Sequence, residues 1–309
     1  MRVLITGANG FVGRHLVKSL LEINLPLTIV MRRNDNSWIP NGDVKIITIE
    51  DFNSKTDWSK ALENVFYVIN LAGRAHIFKE TIKDPTQAFM STNCTGAVAL
   101  YKAARKTGIK GFLQLSSIGV LGTKTPDNSP FNDSSIPNPT SPYAISKYEA
   151  EKALITLNKQ DNLSLIILRP PLIIGANSKG NFKRLLKLTR KPIPLPLMGI
   201  KNKRTLLCVE NLASAIATIL LRWRIKPASG TYVISEAESV STSDIIKSAH
   251  KKINGKAFLF SISPIILTQT LKFIGGEKLV EQLMCNLEVD STRFYSDFNW
   301  KPQINLPYS

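Results

Sequence analysis

The sequence predicts an α/β protein, a doubly wound parallel sheet with a smaller lobe made by the C-terminal part of the chain. Three observations predict it. Short runs dense in Val, Ile and Leu alternate with helical patterns through the first half, as βαβ units require. These runs are nearly continuous in apolar residues, as expected for strands covered by helices on both faces. The chain has 309 residues, 43% hydrophobic and 20% charged, ample for one large core and a smaller one.

In chain order the strand runs are Val3–Thr6, Leu27–Met31, Val44–Ile49, Val65–Leu71, Gly111–Ser116 and Leu163–Leu168. Helical patterns fill Phe11–Glu22, Pro85–Thr107 and Ser141–Gln160. After Arg169-Pro-Pro171 the regular alternation stops, and the stiff stretch Pro192-Ile-Pro-Leu-Pro196 follows. We therefore divide the chain into a first domain, 1–171, and a second lobe, 172–309, with some segments of the lobe expected to pack back on the domain. Within the lobe, Ser263–Ile274 reads as an amphipathic helix with a minor membrane-surface role as the alternative.

Composition excludes several classes. Cys94, Cys208 and Cys285 are odd in number and scattered, which excludes a disulfide framework and suits a reducing cytoplasm. His15, His76 and His250 are far apart, and no Cys/His spacing suggests a metal site. No signal segment precedes the first strand, and no apolar run reaches the ~18 residues that span a bilayer. Forty basic against 23 acidic residues give a net charge of +17, but the cations are dispersed. They are expected to be a solvated surface that attracts anionic small molecules, with no nucleic-acid partner implied.

The strongest local signal is Thr6-Gly7-Ala8-Asn9-Gly10-Phe11-Val12-Gly13, directly after the first strand and opening a helix. Glycines at 7, 10 and 13 permit a tight turn and close approach of backbone N–H groups to a pyrophosphate at the helix N-terminus. This makes the sheet Rossmann-type and the first domain a dinucleotide binder. The second strand ends in Met31-Arg32-Arg33, where an acidic residue would hold the ribose hydroxyls of NAD(H). Two guanidiniums there favour a 2′-phosphate, hence NADP(H) over NAD(H); two solvated arginines are the plain alternative. Tyr143 and Lys147, four residues apart, share one helix face. The ammonium would favour the phenolate of a group whose ordinary pKa is near 10, and so let it move a proton.

The Gly-x-x-Gly-x-x-Gly spacing, the Tyr143-Ala-Ile-Ser-Lys147 segment and Leu115-Ser116-Ser117 upstream of it resemble the extended short-chain dehydrogenase/reductases, the NAD-dependent epimerase/dehydratase family. The resemblance covers essentially the whole chain, weakening toward the C-terminus. It implies that Ser117 binds the reacting oxygen beside Tyr143 and Lys147, and that Asn93 orders the catalytic helix or a relay water. It also implies that Asp51 approaches the adenine, that Leu71, Ala72 and Gly73 line the nicotinamide side, and that Asn181 and Arg204 contact a substrate diphosphate. Pro194–Leu197 would pack on a uracil ring. An Arg-x-Gly-Asp segment usual in the family before its last helix is absent here; Met284-Cys-Asn-Leu-Glu-Val-Asp290 stands in its place.

Within the family the texture is similar to bacterial surface-polysaccharide and O-antigen enzymes. The expected reaction is NADPH-dependent reduction of the C4 ketone of a UDP-4-keto-6-deoxy-N-acetylhexosamine, giving UDP-N-acetylquinovosamine or UDP-N-acetylfucosamine. The main alternative is NAD-dependent 4-epimerisation of UDP-glucose or UDP-N-acetylglucosamine. A non-catalytic NADP(H)-binding or RNA-associated scaffold is a third reading, disfavoured by the intact Tyr/Lys pair. Dehydration is disfavoured because Ile118-Gly119, not an acidic pair, follows Ser117. Family members often dimerise through the helices matched by Pro85–Thr107 and Ser141–Gln160, so the resemblance allows a homodimer.

Overall fold

A computed structural model of the chain describes residues 1–32, 37–75, 84–159, 163–175, 185, 187–252 and 254–303. Six strands follow the expected runs: β1 (Arg2–Thr6), β2 (Leu27–Met31), β3 (Val44–Thr48), β4 (Val65–Asn70), β5 (Gly111–Leu115) and β6 (Ser164–Arg169). They form one parallel sheet with a seventh strand, β10 (Gly230–Val233), in the order β10-β6-β5-β4-β1-β2-β3. Strand order reverses between β1 and β4. The crevice beyond their C-terminal ends is where such sheets bind ligands.

Helices cover both faces, which explains the unbroken apolar strands. On one face α1 (Phe11–Glu22) packs Leu16, Val17 and Leu20 against Leu212, Ile216 and Ile219 of α5 (Val209–Ile225). On the other, Leu100, Tyr101 and Ala104 of α3 (Ala97–Lys106) and Leu154 of α4 (Pro142–Asn158) lie on Phe112 and Leu165. Each large apolar side chain buried this way contributes about 1.5–3 kcal/mol. Trp223 of α5 stacks on Tyr67 of β4 at 5.5 Å between ring centroids.

The helical pattern Pro85–Thr107 is not one regular helix. α2 (Pro85–Phe89) passes into a π-helical stretch, Met90–Gly96, and then into α3. Two local demands account for the widened turn: the Asn93 side chain reaches out of the helix for other partners, and Gly96 sits where a Cβ would lie 2.7 Å from the Phe52 ring. π-Bulges of this kind gather at functional sites.

Beyond residue 171 the chain does two things. α5, β10 and α8 (Thr292–Phe298) join the first sheet and its core, with Phe294 and Phe298 edge-on to Tyr232 of β10. The rest builds a separate small unit. Strands β7 (Leu172–Ile174), β9 (Arg204–Cys208) and β11 (Ser239–Val240) form one sheet, and β8 (Pro194–Leu195) pairs with β12 (Phe258–Leu259). Its own core joins Leu195 and Leu197 to Ile246 of α6 (Thr242–Lys252) and to Leu267 and Leu271 of α7 (Pro264–Met284). α7 breaks at Gly276, whose φ of 66° only a residue without a Cβ adopts readily. None of the described helices is long and apolar enough to cross a membrane.

Candidate active site

The loop after β1 has the geometry that its glycines predict. Gly7 has φ +68°, and a Cβ on it would lie 2.8 Å from the Ala72 nitrogen after β4. A Cβ on Gly13 would lie 2.3 Å from the Gly7 carbonyl oxygen, so this first turn of α1 closes on the loop only without a side chain. Gly10 donates its N–H to the Gly7 carbonyl at 2.9 Å and caps α1 with no side-chain oxygen. No acidic residue occupies the first turn, so the helix N-terminus faces the crevice ready for an anion. Asn9 is exposed, while Phe11 and Val12 are half-buried beside it. Gly13→Ala is expected to destabilise the fold by about 1–3 kcal/mol and to abolish dinucleotide binding, read by thermal melts with and without NADPH.

Arg32 stands exposed at the end of β2; Arg33 lies outside the described residues. Asp51 is exposed beyond β3, its backbone carbonyl accepting from the Thr56 hydroxyl at 2.7 Å. Leu71, Ala72 and Gly73 lead out of β4. Leu71 N–H donates to the Thr6 carbonyl at 3.3 Å and Ala72 N–H to the Thr6 hydroxyl at 3.2 Å. A Cβ on Gly73 would come within 3.2 Å of Lys147 Nζ and 3.3 Å of Asn93 Oδ1. Residues 20 and 74 positions apart in the sequence thus meet at one point of the crevice.

α4 carries the Tyr/Lys pair. Ser141 caps it, accepting from Ala144 N–H at 3.2 Å, with Pro142 in the first turn. Tyr143 lies edge-on to Phe89 and hydrogen-bonds Ser117, which reaches over from the end of β5. Ser117 also accepts from Gly119 N–H at 3.1 Å, capping a 3₁₀ turn. Lys147 is buried and donates to the Leu115 carbonyl at 2.8 Å.

Burial pushes the Tyr143 phenol up to about 12, against the opposing hydrogen bond from Ser117. It pulls the Lys147 ammonium down to about 8, the Glu151 carboxylate working the other way. Tyr143 therefore holds its proton at neutral pH and is poised as an acid. Lys147 has a linkage signature of its own: its folded-state pKa is below its unfolded one, so above pH 8 the unfolded chain binds more protons. The burial cost of the ammonium is present below pH 8 and relieved as pH rises toward 10.5. Compared with Lys147→Met, the wild type is expected to gain stability over that window, measured as the difference between the two urea midpoints.

A buried polar frame that sequence reasoning missed holds these groups. The Thr6 hydroxyl donates to Asn70 Oδ1 at 2.5 Å, and Asn70 Nδ2 to Gln114 Oε1 at 2.7 Å. Gln114 Nε2 then donates at 3.1 Å to the Leu115 carbonyl that Lys147 also uses. The readable signal was three polar residues near the C-terminal ends of otherwise apolar strands. Asn93 accepts from Arg74 N–H at 2.7 Å, and its amide donates to Ser146 of α4 at 2.9 Å, tying the loop after β4 to the helix that carries Tyr143 and Lys147. Under the pair, Glu151 takes Arg169 in an ion pair at 2.6 Å and accepts from the Ser116 hydroxyl.

The expected substrate residues are less concentrated. Asn181 lies outside the described residues. Arg204 Nη1 donates to the carbonyls of Glu281 and Cys285 at 3.2 and 3.0 Å, so part of its fork already caps the end of α7. Leu195 and Leu197 point into the core of the lobe, leaving Pro194 exposed. Among the described residues no group of three His, Cys, Asp or Glu side chains could hold a metal.

Comparison with known proteins agrees with this fold. Residues 3–235 match the model of the NAD dependent epimerase/dehydratase family. A UDP-glucose 4-epimerase of Vibrio cholerae is 31% identical over 98% of this chain and 92% of its own. A GDP-6-deoxy-D-mannose reductase of Pseudomonas aeruginosa is 28% identical, spanning the whole of this chain and 94% of its own. A solved UDP-glucuronic acid 4-epimerase from Bacillus cereus, in complex with NAD, superposes with a TM-score of 0.78 over 99% of this chain and 95% of its own, at 21% identity. The chain belongs to the NAD dependent epimerase/dehydratase family and is an enzyme of the extended short-chain dehydrogenase/reductase type.

Proposed function

We propose that this enzyme reduces the C4 ketone of a UDP-linked 4-keto-6-deoxy-N-acetylhexosamine with NADPH, in the making of a bacterial surface polysaccharide. The observation that carries C4 redox chemistry is Ser117 paired with Tyr143, one helical turn from Lys147, whose ammonium lies against Gly73 after β4. The residues fit a dinucleotide. The glycine loop folds so tightly that a Cβ at position 7 or 13 would overlap neighbouring backbone, and α1 begins with no side-chain cap and no acid in its first turn. Gly7, Asn9, Gly10, Phe11, Val12 and Gly13 would hold the pyrophosphate, Arg32 with Arg33 the 2′-phosphate, and Asp51 the adenine edge. Leu71, Ala72, Gly73, Asn93 and Lys147 would border the nicotinamide. Bound there, a reduced nicotinamide supplies the hydride.

The chain's own residues handle the oxygen. Ser117 donates to O4 and polarises the carbonyl. Tyr143 gives its proton to O4 as C4 gains the hydride, so that ketone becomes secondary alcohol. Lys147, one helical turn along α4 from Tyr143, stabilises the phenolate left behind until solvent returns the proton. Arg204 and Asn181 would meet the diphosphate. The exposed arginine at the end of β2, where a carboxylate would suit NAD, favours net reduction with an exchangeable NADPH.

A second reading rests on the 31% identical Vibrio cholerae relative, a UDP-glucose 4-epimerase. In it the same three side chains remove and return hydrogen at C4, with a retained NAD. One assay separates the two readings: purified protein with NADPH or NADH and UDP-4-keto-6-deoxy-N-acetylglucosamine, followed at the reduced-nicotinamide absorbance. Substrate-dependent loss of NADPH supports reduction. No loss, with NAD released on denaturation, overturns it in favour of epimerisation.

A further inference from the structure

In α7, Leu267 and Leu271 are buried in the core of the small lobe, and the opposite face of the helix is turned to solvent. That face carries Ile265, Ile266, Phe273 and Ile274 at 75%, 59%, 94% and 69% exposure, separated only by the uncharged Gln269 and Thr270. At 100° per residue these six positions fall within one half of the helix circumference. An apolar stripe this concentrated is not the scatter of single exposed apolar residues that every surface shows.

The surroundings are cationic. Over residues 242–284 the sequence carries Lys247, Lys251, Lys252, Lys256, Lys272 and Lys278 against Asp244, Glu277 and Glu281. Each of the three acids already faces a lysine: Asp244 meets Lys247 at 3.7 Å, Glu277 meets Lys272 at 2.7 Å and Glu281 meets Lys124 at 3.8 Å. Arg190 and Lys191 adjoin the same unit, because Thr189 accepts from the N–H groups of Lys256 and Ala257 at 3.0 and 3.2 Å. The exposed ring of Phe258 follows directly.

We propose that this face of α7 docks the enzyme on an anionic phospholipid membrane, the apolar side chains entering the headgroup boundary and the lysines meeting lipid phosphates. Two copies of this face would bring like charges together on a chain of net charge +17, whereas an anionic bilayer complements them. An apolar stripe on a helix not long and apolar enough to span, in a segment where lysines outnumber acids, is the pattern of a peripheral anchor. The docking is independent of the reaction catalysed.

The test is flotation of the full chain with vesicles of phosphatidylcholine alone, or with about a third of the lipid replaced by phosphatidylglycerol. The wild type is expected to float with the anionic vesicles only and to be released by high salt. Phe273→Ser/Ile274→Ser is expected to reduce the floated fraction by about tenfold or more. Both side chains are largely exposed, so this variant keeps its fold, checked by its thermal melt. Ile225→Ser, at an apolar residue 81% exposed at the end of α5, is expected to float like the wild type. Flotation equally strong in the double variant, or absent in the wild type, overturns the proposal. A wild-type dimer in sedimentation velocity that the double variant breaks, without vesicle binding, assigns the face to a second copy and overturns it too.

Discussion

Tyr143→Phe is expected to lower kcat by about a thousandfold while leaving the affinity for NADPH within about twofold of wild type. In the proposed reaction the phenol exchanges a proton with the sugar oxygen, and phenylalanine preserves its packing against Phe89. Burial raises the phenol to about 12, so at neutral pH the proton is present and is transferred only as negative charge develops on O4. In the proposed reaction Ser117 donates a second hydrogen bond to the same oxygen, which accounts for the activity expected to remain. Steady-state rates of NADPH oxidation with the 4-keto sugar, beside a fluorescence titration of the cofactor, separate the two effects. A Tyr143→Phe enzyme with near-normal kcat would move the acid role elsewhere in the crevice. Equal loss of cofactor binding would mean that the substitution had disturbed the site as a whole.

The second large effect is on stability. Arg169→Met is expected to cost about 3–5 kcal/mol, read as a fall in the urea midpoint. Arg169 is 5% exposed and Glu151 1% exposed, and they share three hydrogen bonds of 2.6–3.2 Å. Removing the guanidinium leaves a carboxylate in a dry interior with only Ser116 to satisfy it. Adding Glu151→Leu to that variant is expected to restore much of the loss, because the penalty lies in the orphaned charge rather than in the missing attraction. The same double change has a catalytic consequence. Glu151 favours the charged form of Lys147, so without it the ammonium titrates below about 8, and its hold on the phenolate fails at a lower pH than in the wild type.

How much of this could be read from the residues depends on the range of the interaction. β1 to β6 and α1 were legible because each is a local pattern, a nearly continuous apolar run or a 3.6-residue period, with glycines closing the first turn. The pairing of Ser117 with Tyr143 drew on the resemblance of Leu115-Ser-Ser117 and Tyr143–Lys147 to one family. The frame beneath them was not legible. Thr6, Asn70 and Gln114 are 64 and 44 positions apart and become neighbours only through strand order. Nothing local sets Glu151 apart from other charges on a helix; only β6 brings Arg169 under it. Arg204 read as a diphosphate ligand, and no local pattern revealed its contacts with carbonyls more than 70 residues ahead. The interruption of the helix around Asn93 was equally hidden, since it answers to Phe52 and Arg74 on other elements.

β10 gives the chain an order of assembly. The strand that borders β6 is made only after the residues of β7, β8, β9 and α5 have been synthesised, so a nascent Rossmann sheet waits with β6 as an open edge. Until Gly230–Val233 emerges, that edge can pair with any extended chain nearby, and the surface that α5 will cover stays wet. The two parts of the enzyme are thus interleaved in synthesis as well as in space. The N-terminal half cannot complete its own fold ahead of the part that follows, and vulnerability to misassembly is concentrated in the interval between β6 and β10.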